Sequence, residues 1–309
     1  MGSKAYDVVI VGGGAAGLSA ALVLGRARRA VLVVDAGSPR NAPAAHMQGY
    51  LSRDGMPPTE LLAVGRAEVE RYGVEVRAAQ VASVAPGFEV SLQGGEVLSA
   101  RRLLVATGAG DEVPDVPGVS ERWGRDLLHC PYCHGWEVRD QPLGLLASLP
   151  GSVQHALLLR QWSDDVVFFT HDYELADDER RQLAARGIRT EEGIVTRLVV
   201  DDDHLAGVEL EGGRVVPRSA VFVRPAIAPR DGGLLSSLGC EYLDTGFVRV
   251  DGTGRTTTPG VWAAGNVADP RAQVITAAGA GSAAAIAINA DLVDEDVALA
   301  LQHEVTASA

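Results

Sequence analysis

The chain has 309 residues, 47% of them hydrophobic and 22% charged, enough for two domains with packed cores. Its formal charge of −13 argues against a nucleic-acid partner, and the sequence reads as having no stretch long and apolar enough to cross a membrane. Three cysteines are too few for a disulfide framework.

The first element expected is a short strand, Tyr6 to Val11, ending in Gly12-Gly13-Gly14-Ala15-Ala16-Gly17. Asp7 interrupts the apolar run, so the start reads as a buried strand rather than a leader, and the expected location is cytoplasmic. A helix from Leu18 to Arg28 follows, then a second apolar run, Ala30 to Asp35. Strand, glycine turn, helix, strand and acid in this order make the dinucleotide-binding βαβ unit. Gly12 permits the tight turn, Gly14 admits a pyrophosphate to the backbone, and Gly17 lets helix and strand pack closely. The helix N-terminus supplies amide donors and the positive end of a dipole, and Asp35 would accept from a ribose hydroxyl.

Residues 101–108 form a further strand ending in a small-residue turn, and Pro114 and Pro117 mark a boundary. The middle of the chain holds Cys130-Pro131-Tyr132-Cys133-His134-Gly135-Trp136-Glu137, with His129 before it. Two cysteines at this spacing can close into a disulfide and open again. The sequence is also that of a c-type haem attachment, but no export signal accompanies it, and no second ligand pair supports zinc, so no metal is expected. His129 and His134 flank the pair, and imidazole suits a base working near neutral pH. Cys240 reads as a small buried hydrophobe. Val221-Phe222-Val223 is a strand running to Pro225 and Pro229, and the chain returns to its first domain near Phe247. A small-residue helix, Ile275 to Leu292, closes the pattern, with a frayed tail expected after Asp294. The expected division is 1–117 with 246–309, interrupted by an insert over 118–245.

The runs Gly12 to Gly17, Ala106-Thr107-Gly108, Cys130-x-x-Cys133 and Thr258 to Val267 occur in the order and spacing of low-molecular-weight thioredoxin reductases, which the chain resembles over nearly its whole length. The resemblance implies an α/β fold of two Rossmann-like domains, each a three-layer ββα arrangement. It also implies a homodimer. FAD would bind the first domain, and the smaller inserted domain of NADPH type would carry the CxxC. The FAD-site residues it implies are Gly12, Gly14, Ala15, Ala16, Gly17, Asp35, Ala36, Arg40, Asn41, Val81, Ala106, Thr107, Gly108, Gly265, Asn266, Gln273 and Val274. Asn266 replaces the family's Asp and is expected to reach the ribityl chain.

The inserted domain departs from the family. Ala147, Ser148 and Leu149 stand where its second glycine loop should be, and Val166 to Asp172 lacks the arginines that would read a 2′-phosphate. The fold is expected to persist and the nucleotide site to be lost. The same departures, with His129 to Glu137 and Pro39-Arg40-Asn41-Ala42-Pro43, resemble the flavin-dependent dithiol oxidases of the gliotoxin and holomycin type. That branch implies Cys133 facing the flavin, Cys130 exchanging with a small-molecule dithiol, and Asn41, His129 and His134 around the reacting thiols. Oxygen would be the acceptor, giving hydrogen peroxide, in the setting of antibiotic biosynthesis. Two alternatives stay open: a reductase of protein disulfides driven by NADPH or ferredoxin, and a non-enzymatic flavin redox sensor.

Overall fold

The computed structural model describes residues 5–307, which fall into two compact units. The first comprises Met1–Arg40, Thr59–Gly110 and Ala228–Ala309, and the second comprises Asn41–Pro58 and Asp111–Ile227. Both are α/β, as expected, with parallel strands at the centre of each.

In the first unit, β1 (Ala5–Val11) runs into the glycine loop and α1 (Ala15–Arg26), and β2 (Val31–Asp35) lies parallel to β1 with Ile10 beside Val33. After α2 (Pro58–Glu70), β3 (Glu75–Ala78) pairs with β2. Then β4 (Val81–Ala85), β5 (Glu89–Leu92) and β6 (Val97–Val105) form an antiparallel meander, and β6 continues as a parallel neighbour of β1. Alternation along a strand sends successive side chains to opposite faces. Val8 and Ile10 therefore join a core with α1, while Val9 and Val11 join a second core with Val84, Val90 and Leu92 of the meander.

The second unit repeats the plan. The chain enters through β7 (Ala109–Glu112), α3 (Val119–Arg122), β8 (Leu127–Leu128) and α4 (Pro131–His134). It continues through β9 (Leu143–Leu146), α5 (Ser152–Leu159), β10 (Val166–Phe169), α6 (Asp177–Ala185) and β11 (Arg189–Glu191). A meander of β12 (Val195–Asp201), β13 (His204–Leu210) and β14 (Val215–Pro217) leads to β15 (Ala220–Val223). The parallel sheet runs β11-β10-β9-β15-β8. Leu145 and Phe222 face a core with α5, and Leu146 and Val223 face one with the meander. The buried Arg122 ties Asp126 to Asp203 at the tip of the β12–β13 hairpin, where both Asp202 and Asp203 have positive φ.

The return differs from the sequence-based division. After β16 (Ala226–Pro229) comes α7 (Leu234–Ser237), and Leu234, Leu235 and Cys240 enter the core of the first unit. The crossing thus falls at Ala228 rather than near Phe247, and residues 41–58 and 111–117 belong with the insert. The apolar run around Leu234 is compatible with either core, so local pattern could not place it. Cys240 is buried as expected, its thiol donating to Thr256 Oγ1 at 3.4 Å.

After β17 (Val261–Ala263), α8 (Val274–Ala307) ends the described chain. α8 stays helical past Asp294, where fraying was expected, to Ala307. Residues 291–304 hold no Gly or Pro, and Asp291, Glu295 and Asp296 are ion-paired to Arg102, Arg101 and Arg29. The expectation about apolar stretches is also corrected: Val274–Glu304 is long and apolar enough, by composition, to cross a membrane. Ala277, Ala284 and Ala285, with Ile288 and Leu292, lie in the core with α1.

Candidate active site

The glycine loop of the first unit is shaped by backbone crowding. Gly12 has φ +108°, and a Cβ there would stand 2.4 Å from the Ala106 carbonyl oxygen. A Cβ on Gly17 would meet the Gly12 carbonyl oxygen at 1.9 Å. Gly13, a free position in the motif, is crowded by a side chain instead: its Cβ would lie 2.7 Å from the Asp35 carboxyl group. Only Gly14 opens onto empty space, with nothing within 4 Å of its Cβ position. The first-turn amides of α1 lack helical partners, so the loop offers donors beside a clear approach. Asp35 ends β2, pairs with Arg66 at 2.7 Å and accepts from Gly37 N. Thr107 Oγ1 is buried without a hydrogen-bond partner. Open Gly14, free amides, an acid at the strand end and an orphaned hydroxyl together fit a bound dinucleotide.

Of the other expected cofactor residues of this unit, Gly265 lies against the start of α1. A Cβ on Gly265 would touch Ala16 Cβ at 3.0 Å, and Arg40 donates to the Pro270 carbonyl at 3.4 Å. Ala36 follows β2, Gly108 has φ +77°, Val81 pairs with Leu92, and Gln273 and Val274 open α8. Asn266 donates through Nδ2 to the carbonyls of Asp269 and Ala272, both at 2.9 Å. Both its amide hydrogens thus brace the loop before α8. Asn41 alone of this set lies in the second unit. Sequence reasoning missed Gly13 and Gly281, because neither the motif nor helical periodicity distinguishes them.

In the second unit the corresponding loop is filled from within. The Ser152 hydroxyl accepts from the amides of Ser148 and Leu149 at 3.3 and 3.4 Å and donates to the Leu149 carbonyl at 2.7 Å. Ser152 is fully buried, and Ser148 Oγ donates to the Arg224 carbonyl. Amides that would cradle a pyrophosphate are thus already satisfied. His171 Nδ1 accepts from Val195 N at 3.1 Å, at the strand end where arginines were missing.

The dithiol turn lies in this unit. Cys130 caps α4, Pro131 occupies the first helical position, and the Cys130 carbonyl accepts from Cys133 N at 3.0 Å and His134 N at 3.1 Å. Cys130 and Cys133 are disulfide-bonded, their Cα atoms 5.2 Å apart. Gly135 is required, because a Cβ would stand 2.6 Å from the Pro131 carbonyl oxygen. Tyr132 and Trp136 are exposed, Tyr132 meeting Trp162 edge-on and Trp136 lying under Arg139. Asn41 begins the segment Asn41–Pro58, in the same unit as the dithiol.

Burial lowers the pKa of His134, and Glu137 partly opposes the shift. Burial pushes His155, on α5, down to about 4, helped by like charge on His129 and Arg224. The unfolded chain therefore takes up a proton at this residue before the folded one does. Stability is expected to fall by about 3 kcal/mol relative to a His155→Phe variant as pH drops from 6.5 to 4. Denaturant titrations of both proteins across this range would measure it, and parallel curves would contradict it.

The profile of the pyridine nucleotide-disulphide oxidoreductase family matches residues 6–282. Thioredoxin reductase sirT of Leptosphaeria maculans is 32% identical, over 95% of this chain and 96% of its own. Among solved structures, HlmI is 60% identical with a TM-score of 0.96, covering 98% of this chain and 97% of its own. An oxidoreductase from Agrobacterium tumefaciens is 37% identical with a TM-score of 0.88, covering 94% and 99%. The glycine loop of the first unit, the closed dithiol of the second and a match over most of the chain lead to one conclusion: the protein is a flavin-dependent, sulfur-acting enzyme of the pyridine nucleotide-disulphide oxidoreductase family, of the thioredoxin reductase-like type.

Proposed function

We propose that the protein oxidises a small-molecule dithiol to its disulfide, with FAD as cofactor and molecular oxygen as final acceptor. The observation that carries this reading is the self-filled loop before α5. Its amides hold the Ser152 hydroxyl, which argues against a reduced nicotinamide as electron source. Electrons then enter through the dithiol. A substrate thiolate attacks Cys130, forming a mixed disulfide and releasing the Cys133 thiolate. The second substrate thiol attacks its own mixed-disulfide sulfur, closing the substrate disulfide and leaving both enzyme cysteines reduced. His129 and His134 are the candidates to take the substrate protons, and we assign Asn41 to the same surroundings. FAD, when bound, would supply a two-electron acceptor for the cysteine pair that oxygen could reoxidise, with hydrogen peroxide as the product. Gly12, Gly14, the first turn of α1, Asp35, Thr107 and Gly265 would hold it. The exposed Ile286, Val293 and Val297 on α8 support a homodimer, and a cytoplasmic setting with a role in antibiotic biosynthesis belongs to the same proposal.

Anaerobic mixing tests the reading. Dithiothreitol is expected to bleach the flavin within one turnover, NADPH at equal concentration to leave it coloured, and aerobic turnover to yield one peroxide per disulfide. Rapid bleaching by NADPH alone would reinstate the reductase alternative.

A further inference from the structure

We propose that His155 is a positioning residue that holds the His129 imidazole in the orientation from which it serves the Cys130–Cys133 dithiol. The proposal rests on the reading of His129 as a proton acceptor. His155 is 26 positions after His129, on α5, yet the two rings meet edge-to-face with centroids 6.3 Å apart and planes at 82°. The His129 main chain also lies against the His155 ring. On its other side His155 meets Phe222 of β15, again edge-on, at 6.2 Å, and Phe222 is fully buried. A line of contacts therefore runs from β15 of the parallel sheet through His155 to the residue preceding Cys130.

Packing alone does not account for an imidazole here. His155 Nε2 is buried and has no hydrogen-bond partner, and an unpaired buried nitrogen destabilises the fold. A phenyl ring would fill the space without that cost. With Nε2 unpaired, Nδ1 is the ring nitrogen left to face the His129 main chain. The charged and titratable groups facing His155 are His129, before α4, and Arg224, after β15. Both disfavour a second positive charge, so His155 stays neutral near pH 7. It can then stand beside His129 while that ring gains a proton, which a charged neighbour would oppose.

The test compares His155→Phe, His155→Asn and His129→Ala as full-length, flavin-loaded proteins, with dithiothreitol as probe. The readouts are the anaerobic rate constant of flavin reduction against pH, the flavin content and the melting temperature. His155→Phe is expected to melt no lower than the parent, yet to reduce flavin about tenfold more slowly, with a displaced acid limb in its pH profile. His155→Asn carries Nδ2 near the place of His Nδ1, so it is expected to restore at least half the rate. His129→Ala should lose about 100-fold. If His155→Phe keeps the parental rate and pH profile while His129→Ala is slow, this inference fails and the proposed function stands. If His129→Ala is fully active, the underlying reading of His129 fails as well. Should His155→Phe not fold, His155→Asn decides: near-parental rate supports the proposal, and a tenfold loss overturns it.

Discussion

A Cys133→Ser variant is expected to keep its flavin and its fold while dithiol-driven flavin reduction falls by at least about 1,000-fold. The turn survives because its hydrogen bonds run through the backbone: the Cys130 carbonyl accepts from Cys133 N and His134 N, and neither sulfur takes part. The chemistry does not survive, because a serine hydroxyl neither ionises near neutral pH nor forms a disulfide. Cys130→Ser should be equally inactive, for the different reason that substrate has no sulfur to attack. The measurements are oxygen uptake with dithiol, anaerobic flavin absorbance and flavin content. An active Cys133→Ser protein holding full flavin would show that electrons enter elsewhere.

The second large effect is expected at a residue outside every motif. On α8, a Cβ on Gly281 would stand 2.0 Å from the Ala16 carbonyl oxygen and 2.9 Å from its Cα. These are backbone atoms in the first turn of α1 and cannot swing aside. Gly281→Val must therefore push α8 away from α1 and displace the turn that presents the loop amides. A stability loss of about 3 kcal/mol or more is expected, together with loss of flavin on purification. Gly279, two positions earlier on the same helix, has nothing within 4 Å of its Cβ position. Gly279→Ala should be neutral or stabilising by up to about 1 kcal/mol, since glycine is costly inside a helix. Thermal melts and flavin-to-protein ratios of the two variants decide. Equal behaviour would mean that the close approach of the helices is not what seats the loop.

Much of the site was legible in order along the chain. Strand, glycine turn, helix and acid announced the dinucleotide unit, because a tight turn, a helix start and a strand end each have local residue requirements. The spacing of Cys130 and Cys133 announced the dithiol in the same way. The departure from the family's second glycine loop was visible too, in Ala147, Ser148 and Leu149. The structure adds how that loop is stabilised: Ser152, three positions beyond Leu149, takes the amides. Local pattern failed where two packings were equally compatible with it, as at Leu234 to Cys240 and the tail of α8.

The sequence by itself therefore determined the α/β class, the glycine turn and the two cysteines that close into a disulfide, since each depends on residues adjacent or nearly adjacent in the chain. Tertiary structure alone decided which glycine of α8 must remain glycine, which unit holds Asn41, and that His155 meets His129. Those facts arise from contacts between separate elements, where side-chain volume and backbone approach select the residue and leave no periodic trace in the chain.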